Sequence, residues 1–295
     1  MRSAFSIFAL LGIVSSAHAA VDIESAIAKV RTSCGDLSSE LKQMKTLAGV
    51  GTGVSAAGIV TGGVALGTGI AKAKIDKKLA CAPCPPGEDF CVVACEEVDN
   101  EVPEKGSDEY DELAKKSETL GHIRTGTLAA TTAVNIAGAA VGGVNMKKAK
   151  GTLTEMVSDC LASVKELSAA YGQARIARTA SDEDLGRVET IVRVCNEWST
   201  VDLSKIDNRA TGAFASSVVG AATGAAGTIT SAIANTDEVR HQFDQKEKNL
   251  NLASNVLAGG ATVASTAATI FNATQISAIK RASTVADACD GALRN

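Results

Sequence analysis

Aromatic residues make up only 3% of this 295-residue chain, with a single tryptophan among them. That shortage excludes a thick globular core assembled around large rings. Proline occurs four times, and Pro83, Pro85 and Pro86 fall within one short segment. Most of the chain is therefore free of the residue that breaks helices. Basic residues number 29 against 33 acidic ones, a net charge of -4. No concentrated basic surface is available for nucleic acid, which is not an expected partner. Histidine is scarce too, and His18, His122 and His241 stand apart from any metal-binding or triad pattern.

The apolar content is mostly Ala, Val, Gly and Ile, which suits closely packed helices. The N-terminus has the form of an export signal: Arg2, a largely apolar run over 4–14, and Ala17-His18-Ala19 as a small-x-small cleavage site. Residues 1–19 are expected to be a removed signal peptide, which places the mature chain in the cell envelope: periplasm, membrane or outside the cell. An oxidising compartment changes the meaning of the eight cysteines, whose even number then suggests four disulfides.

Two seams set the architecture. Ile23, Ile27, Val30, Cys34, Leu37, Leu41 and Met44 recur at alternating steps of four and three. Leu153, Val157, Cys160, Val164, Leu167 and Tyr171 do the same, as coiled-coil helices require. Pairing Cys34 with Cys160 in an antiparallel hairpin sets Ile23 level with Tyr171, Val30 with Val164, and Leu41 with Leu153. The turn then falls near residue 97, inside the proline- and acid-rich segment. Leu185, Val188, Val192 and Cys195 form a shorter seam, and pairing Cys195 with Cys289 puts a second turn near residue 242. The predicted fold is all-α: two long antiparallel helical hairpins, 20–178 and 179–295, related by internal duplication, with coiled-coil bases and Gly/Ala-rich apolar segments. Trp198 is expected to pack in the second base.

Four stretches carry no charge: 46–71, 125–146, 210–236 and 249–279, of 26, 22, 27 and 31 residues. As helices they span about 33–46 Å, enough for bilayer hydrocarbon of about 30 Å. GxxxG pairs fall within them: Gly49 and Gly53, Gly58 and Gly62, Gly63 and Gly67, Gly138 and Gly142, Gly220 and Gly224. These glycines are expected to pack helices, within the chain or in a homo-oligomer. Insertion of one stretch alone is weakly driven. Leu47, Ile59, Leu66, Ile70 and the valines of the first supply about 2–5 kcal/mol in total. Asn135, Asn145, Asn251, Asn255, Asn272 and Gln275 need polar partners in lipid.

Between 81 and 112 lies a cysteine-rich acidic tip. Cys81, Cys84, Cys91 and Cys95 are expected to form two disulfides, with a nested Cys81–Cys95 and Cys84–Cys91 pairing preferred over a four-thiolate zinc site. From Glu88 to Glu112 eleven acidic residues face one lysine, Lys105. The segment reads as a solvated loop rather than a calcium site, because no EF-hand spacing appears. Gly49-Val50-Gly51-Thr52-Gly53 follows a heptad helix and lacks the spacing and lysine of a phosphate loop. No cofactor pattern or catalytic constellation stands out, so a non-enzymatic protein is expected.

The leading expectation is an exported, membrane-associated helical protein with a structural, self-assembling or pore-forming role. Its rivals are a soluble periplasmic or secreted disulfide-stapled scaffold, and a thiol-disulfide enzyme using Cys81 and Cys84. Peptide mapping without reduction should recover Cys34 joined to Cys160 and Cys195 joined to Cys289; a Cys34–Cys195 peptide would break the two-hairpin scheme.

Overall fold

The computed structural model describes residues 23–82, 103–178, 180–236, 239 and 245–294. The expected signal peptide, Cys84, Cys91, Cys95 and His241 lie outside them. The described residues contain no strand.

The first hairpin rises through α1 (Ile23–Cys34) and α2 (Leu37–Ala80). It descends through α3 (Asp108–Lys147), a π-helical segment (Lys148–Leu153) and α4 (Thr154–Ala177). The second rises through α5 (Asp182–Cys195), a 3₁₀ turn (Asn196–Thr200) and α6 (Leu203–Ala234), and descends as α7 (Gln245–Arg294). The two chain reversals thus fall between Ala80 and Asp108 and between Ala234 and Gln245. Ser107 and Ser181 start α3 and α5 as extended N-cap residues, accepting hydrogen bonds from the Tyr110 and Asp184 amides. The 70-residue descending arm, 108–177, is about 105 Å long.

The hairpins are packed against one another. In the upper half α2 lies between α3 and α7, and α6 likewise, with little contact across the diagonals. In the base α1 packs on α4, α4 on α5, and α5 on α7. Base residues of both hairpins share one core, which includes Val30, Leu41, Leu167, Ile191, Trp198 and Ile279. Arg31 donates to the Leu293 carbonyl at 2.8 Å and Ser38 to Asp287 at 2.8 Å, tying the first base to the second.

Within that core the Cys34 and Cys160 sulfurs stand at bonding distance, 2.04 Å, and those of Cys195 and Cys289 at 1.97 Å. The sulfurs of Cys34, Cys160 and Cys289 lie within 4.8 Å of one another, so the two clamps share one layer. Their sequence separations are 126 and 94 residues. Closing loops of that size stabilises the fold by about 5 kcal/mol each in the chain-entropy model. Cys81 is disulfide-bonded as well.

Every long helix buries residues at alternating four- and three-residue steps. On α6 these are Ile206, Ala210, Ala213, Ser217, Gly220, Gly224, Gly227, Ser231 and Ala234. The pattern breaks once. Asn145, Ala149, Leu153 and Val157 follow one another at steps of four, which adds a residue to the heptad. The chain absorbs it as the π-helical segment, where Thr154 Oγ1 donates to the Ala149 carbonyl five residues back. The seams above and below therefore stay in one line.

The GxxxG glycines divide by face. Gly58, Gly62, Gly138, Gly142, Gly220 and Gly224 are buried between helices. Gly49, Gly53, Gly63 and Gly67 point outward with nothing near them. Inside the chain their part on α2 is taken by Gly51, Gly58, Gly62 and Gly69. A methyl carbon on Gly58 would stand 2.6 Å from Ser265 Oγ, and one on Gly62 2.4 Å from Thr262 Oγ1. Replacing Gly58 and Gly62 by leucine should therefore lower stability by about 1–3 kcal/mol per site and disrupt the native assembly. The same change at Gly63 and Gly67 should leave the thermal midpoint of the single chain nearly unchanged; equal losses for the two pairs would contradict this division of faces.

Candidate functional site

The interior of the upper bundle mixes polar side chains with glycine and alanine, around a small apolar cluster of Ala65, Leu128 and Ala258, although the stretches that build it carry no charge. At its lower end Asn145 Nδ2 donates to Gln275 Oε1 at 2.7 Å, both residues fully buried. The remaining atoms of that pair, Asn145 Oδ1 and Gln275 Nε2, have no partner. Halfway up, Ser265 Oγ lies 3.1 Å from Asn135 Oδ1, while Asn135 Nδ2 donates to the Thr131 carbonyl at 3.0 Å. Thr131 and Thr61 hydroxyls meet at 2.8 Å. Higher still, Thr125 and Ser231 hydroxyls meet at 2.8 Å, and Asn235 Nδ2 donates to Thr125 Oγ1 at 3.0 Å.

Asparagine and glycine explain each other here. Asn272 rests on Gly51, Asn255 on Gly69, Asn135 on Gly220, and Asn235 on Gly121. In each case a methyl carbon on the glycine would stand within 3.0 Å of the amide group. The amide is long enough to reach the bundle axis only because the facing helix offers bare backbone. Helices joined this way gain close contact and hydrogen bonds without large apolar side chains.

A charged cluster closes the upper end. Lys72 Nζ lies 2.6 Å from Asp76 Oδ2 and 3.6 Å from Glu247 Oε1, and both Lys72 and Glu247 are buried. Ser117 donates to Asp76 Oδ1. Buried Arg124 donates through Nη1 to Asn251 Oδ1 at 3.1 Å and through Nη2 to the Asn251 carbonyl at 3.0 Å. Arg124 Nε has no partner. Two cations thus face two carboxylates, and the set joins α2, α3 and α7. Its chemistry is cohesion: opposite charges neutralise one another away from water. His122 is exposed beside Glu118, away from this set.

The exterior has the opposite character. Val50, Val60, Val64 and Ile70 on α2 are exposed, as are Ile123, Ile136 and Val144 on α3. So are Val218, Val219, Ile229 and Ile233 on α6, and Leu252, Val256, Val263, Ile270 and Phe271 on α7. On each helix these residues cover about 22–32 Å of length, forming a belt around the bundle. Among the described residues four helices are long and apolar enough to cross a membrane, and no more than 33% of their most apolar windows is buried. Below the belt the arrangement reverses: Leu, Ile, Val and Met fill the base core, and charged residues such as Lys29 and Glu166 lie outside.

No protein family, curated protein or solved structure matches the chain.

The sequence singled out Asn135, Asn145, Asn251, Asn255, Asn272 and Gln275 as needing partners; the bundle buries five of them and half-buries Asn255, whose Oδ1 stays without a partner. It did not single out the charged cluster. Lys72 and Arg124 are visible in the sequence as basic residues bordering charge-free stretches, which suggests solvent-facing ends. Their recurrence on the buried step of the seam, with Gly69 before Lys72 and Leu128 after Arg124, was the available signal. Replacing Lys72 by methionine leaves Asp76 and Glu247 without their shared cation. We expect a loss of about 3–5 kcal/mol, read as a fall of about 10 °C in melting temperature; an unchanged midpoint would show that the cluster does not hold the helices together.

Proposed function

We propose that the chain is an exported protein whose four charge-free helices insert together into a membrane, where it has a structural, self-assembling and non-enzymatic role. One observation carries the proposal. Over about 30 Å of length the bundle turns most of its large apolar side chains outward and gathers polar side chains, glycine and alanine inside. A soluble bundle gains its stability by the opposite arrangement. Hydrocarbon reverses the preference, because unpaired amides and charges are costly there and must be satisfied inside.

The closely packed interior argues against an open conduit within one chain. Amides and hydroxyls from one helix fill the space that glycines leave on the next. Pore formation would need either separation of the hairpins or a passage between copies. Self-association would use the outward edge of α2, where Gly49, Gly53, Ala56, Val60, Gly63, Gly67 and Ile70 are all exposed at steps of four and three. That edge permits close backbone approach of a second helix.

Alkaline carbonate extraction of cell envelopes should leave the protein in the pellet, and release into the supernatant would favour the soluble scaffold. A second measurement tests the belt directly. A fluorophore attached to Val263→Cys should be quenched by a lipid-chain quencher and shielded from iodide. One attached to Asp159→Cys in the base should show the reverse; iodide quenching at both positions would sink the membrane reading.

A further inference from the structure

A cleft of about 370 Å³ opens at the lower border of the belt, between the start of α6 and the final third of α7. Thr200, Val201 and Asp202 form one wall, Ser277 and Ala278 another, and Lys205, Arg209 and Arg281 surround the opening. Three cations therefore share the cleft with a single carboxylate. Ser204 and Lys205 hydrogen-bond to that carboxylate and hold Asp202 below the usual carboxyl range. Lys205 Nζ lies 3.2 Å from Asp202 Oδ2, and Arg209 Nη1 donates to the Thr274 carbonyl at 2.6 Å. One cation is thus matched by Asp202 and another is steadied by a neutral carbonyl. The cleft keeps an excess of positive charge.

Two further features favour an anion. The cleft adjoins the N-terminus of the 32-residue helix α6, where the positive end of the helix dipole adds to the side-chain charge. Its height is also informative. The charge-free stretch of α6 begins immediately after Arg209, and that of α7 ends two residues before Arg281. The cleft therefore straddles the level at which the apolar belt gives way to charge, which in a bilayer is the headgroup layer.

We propose that this cleft binds a phosphate-bearing anion, with Arg209 and Arg281 as guanidinium donors to its oxygens and Lys205 as a point charge. The phosphate comes from an anionic lipid headgroup if the membrane reading holds, or from a free phosphate if it does not. The height argument rests on the membrane reading; the charge and shape of the cleft do not.

The test uses the full mature chain in detergent, titrated with dioleoylphosphatidylglycerol or dioleoylphosphatidylcholine and followed by native mass spectrometry. In parallel, inorganic phosphate is titrated and the melting temperature recorded. Lys205 and Arg281 are exposed, so the Lys205→Ala/Arg281→Ala variant should fold, and a ligand-free melting temperature matching the wild type checks this. Lys147→Ala/Lys150→Ala removes two exposed cations elsewhere near the belt border as a control. Preference for phosphatidylglycerol, weakened about fivefold for each cation removed from the cleft and unaltered in the control, establishes the headgroup source. Stabilisation by inorganic phosphate that the cleft variant loses, without lipid preference, supports a free-phosphate site and leaves the lipid source unsupported. Equal binding of both lipids and of phosphate by wild type and cleft variant, or no binding at all, overturns the proposal. Carbonate extraction is independent of these readings, so a failed site and a failed membrane assignment give different results.

Discussion

Everything in this molecule depends on one geometric constraint, the four-three spacing of inward residues along its long helices, interrupted once. A spacing of 3.5 residues keeps a seam facing its neighbours over many turns. On α7 it runs from Glu247 through Asn251, Ala258, Ser265, Asn272 and Ile279 to Cys289 and Leu293. A shift of one residue would turn that whole set toward the exterior. The two cysteine clamps fix the register at the base, and the charged cluster of Lys72, Asp76, Arg124 and Glu247 fixes it at the top. The π-helical segment belongs to the same constraint, since it is the one place where the sequence supplies a residue too many.

The seam is continuous in geometry but not in chemistry. In the base it carries Leu41, Met44, Val164, Leu167 and Ile191, the material of an ordinary water-soluble coiled coil. In the upper half the same steps carry Gly58, Gly62, Asn135, Ser217, Gly220 and Ser265. The outer surface changes in the opposite sense at the same height. On the proposed membrane placement, one helix geometry thus serves two solvents. Where water surrounds the bundle, apolar burial holds it together. Where apolar surface surrounds it, close backbone contact and internal hydrogen bonds take over.

Much of this was legible in the sequence, and the limits have physical reasons. The base seams are written in large aliphatic residues, whose spacing is conspicuous, and Cys34 with Cys160 aligned the two arms of the first hairpin. The helical nature of the upper segments was legible from length and small-residue content. Which face turned inward was not. Gly49, Gly53, Gly58, Gly62, Gly63 and Gly67 offer two interleaved small-residue edges on one helix, and composition alone treats them alike. The choice comes from Ser265, Thr262 and Asn272 on α7, far away in sequence. The joining of two hairpins into one bundle was hidden for the same reason. In the upper half its contacts include Asn-on-Gly and Ser-on-Gly pairs, which leave no hydrophobic pattern to match.

That mode of packing bears on how the bundle reaches its environment. Taken singly, each upper helix exposes glycines and amides together with a modest set of valines and isoleucines, and gains little from hydrocarbon. Once paired, its amides are turned inward against glycine, and its remaining surface is the belt. The polar groups that oppose insertion of an isolated helix are therefore the groups that hold the assembled bundle together. The Lys72, Arg124, Asp76 and Glu247 set adds to this, because separating α2, α3 and α7 would part the opposite charges that join them. The apolar outer belt and the cohesion of the interior arise from a single event, the closing of the hairpins on one another.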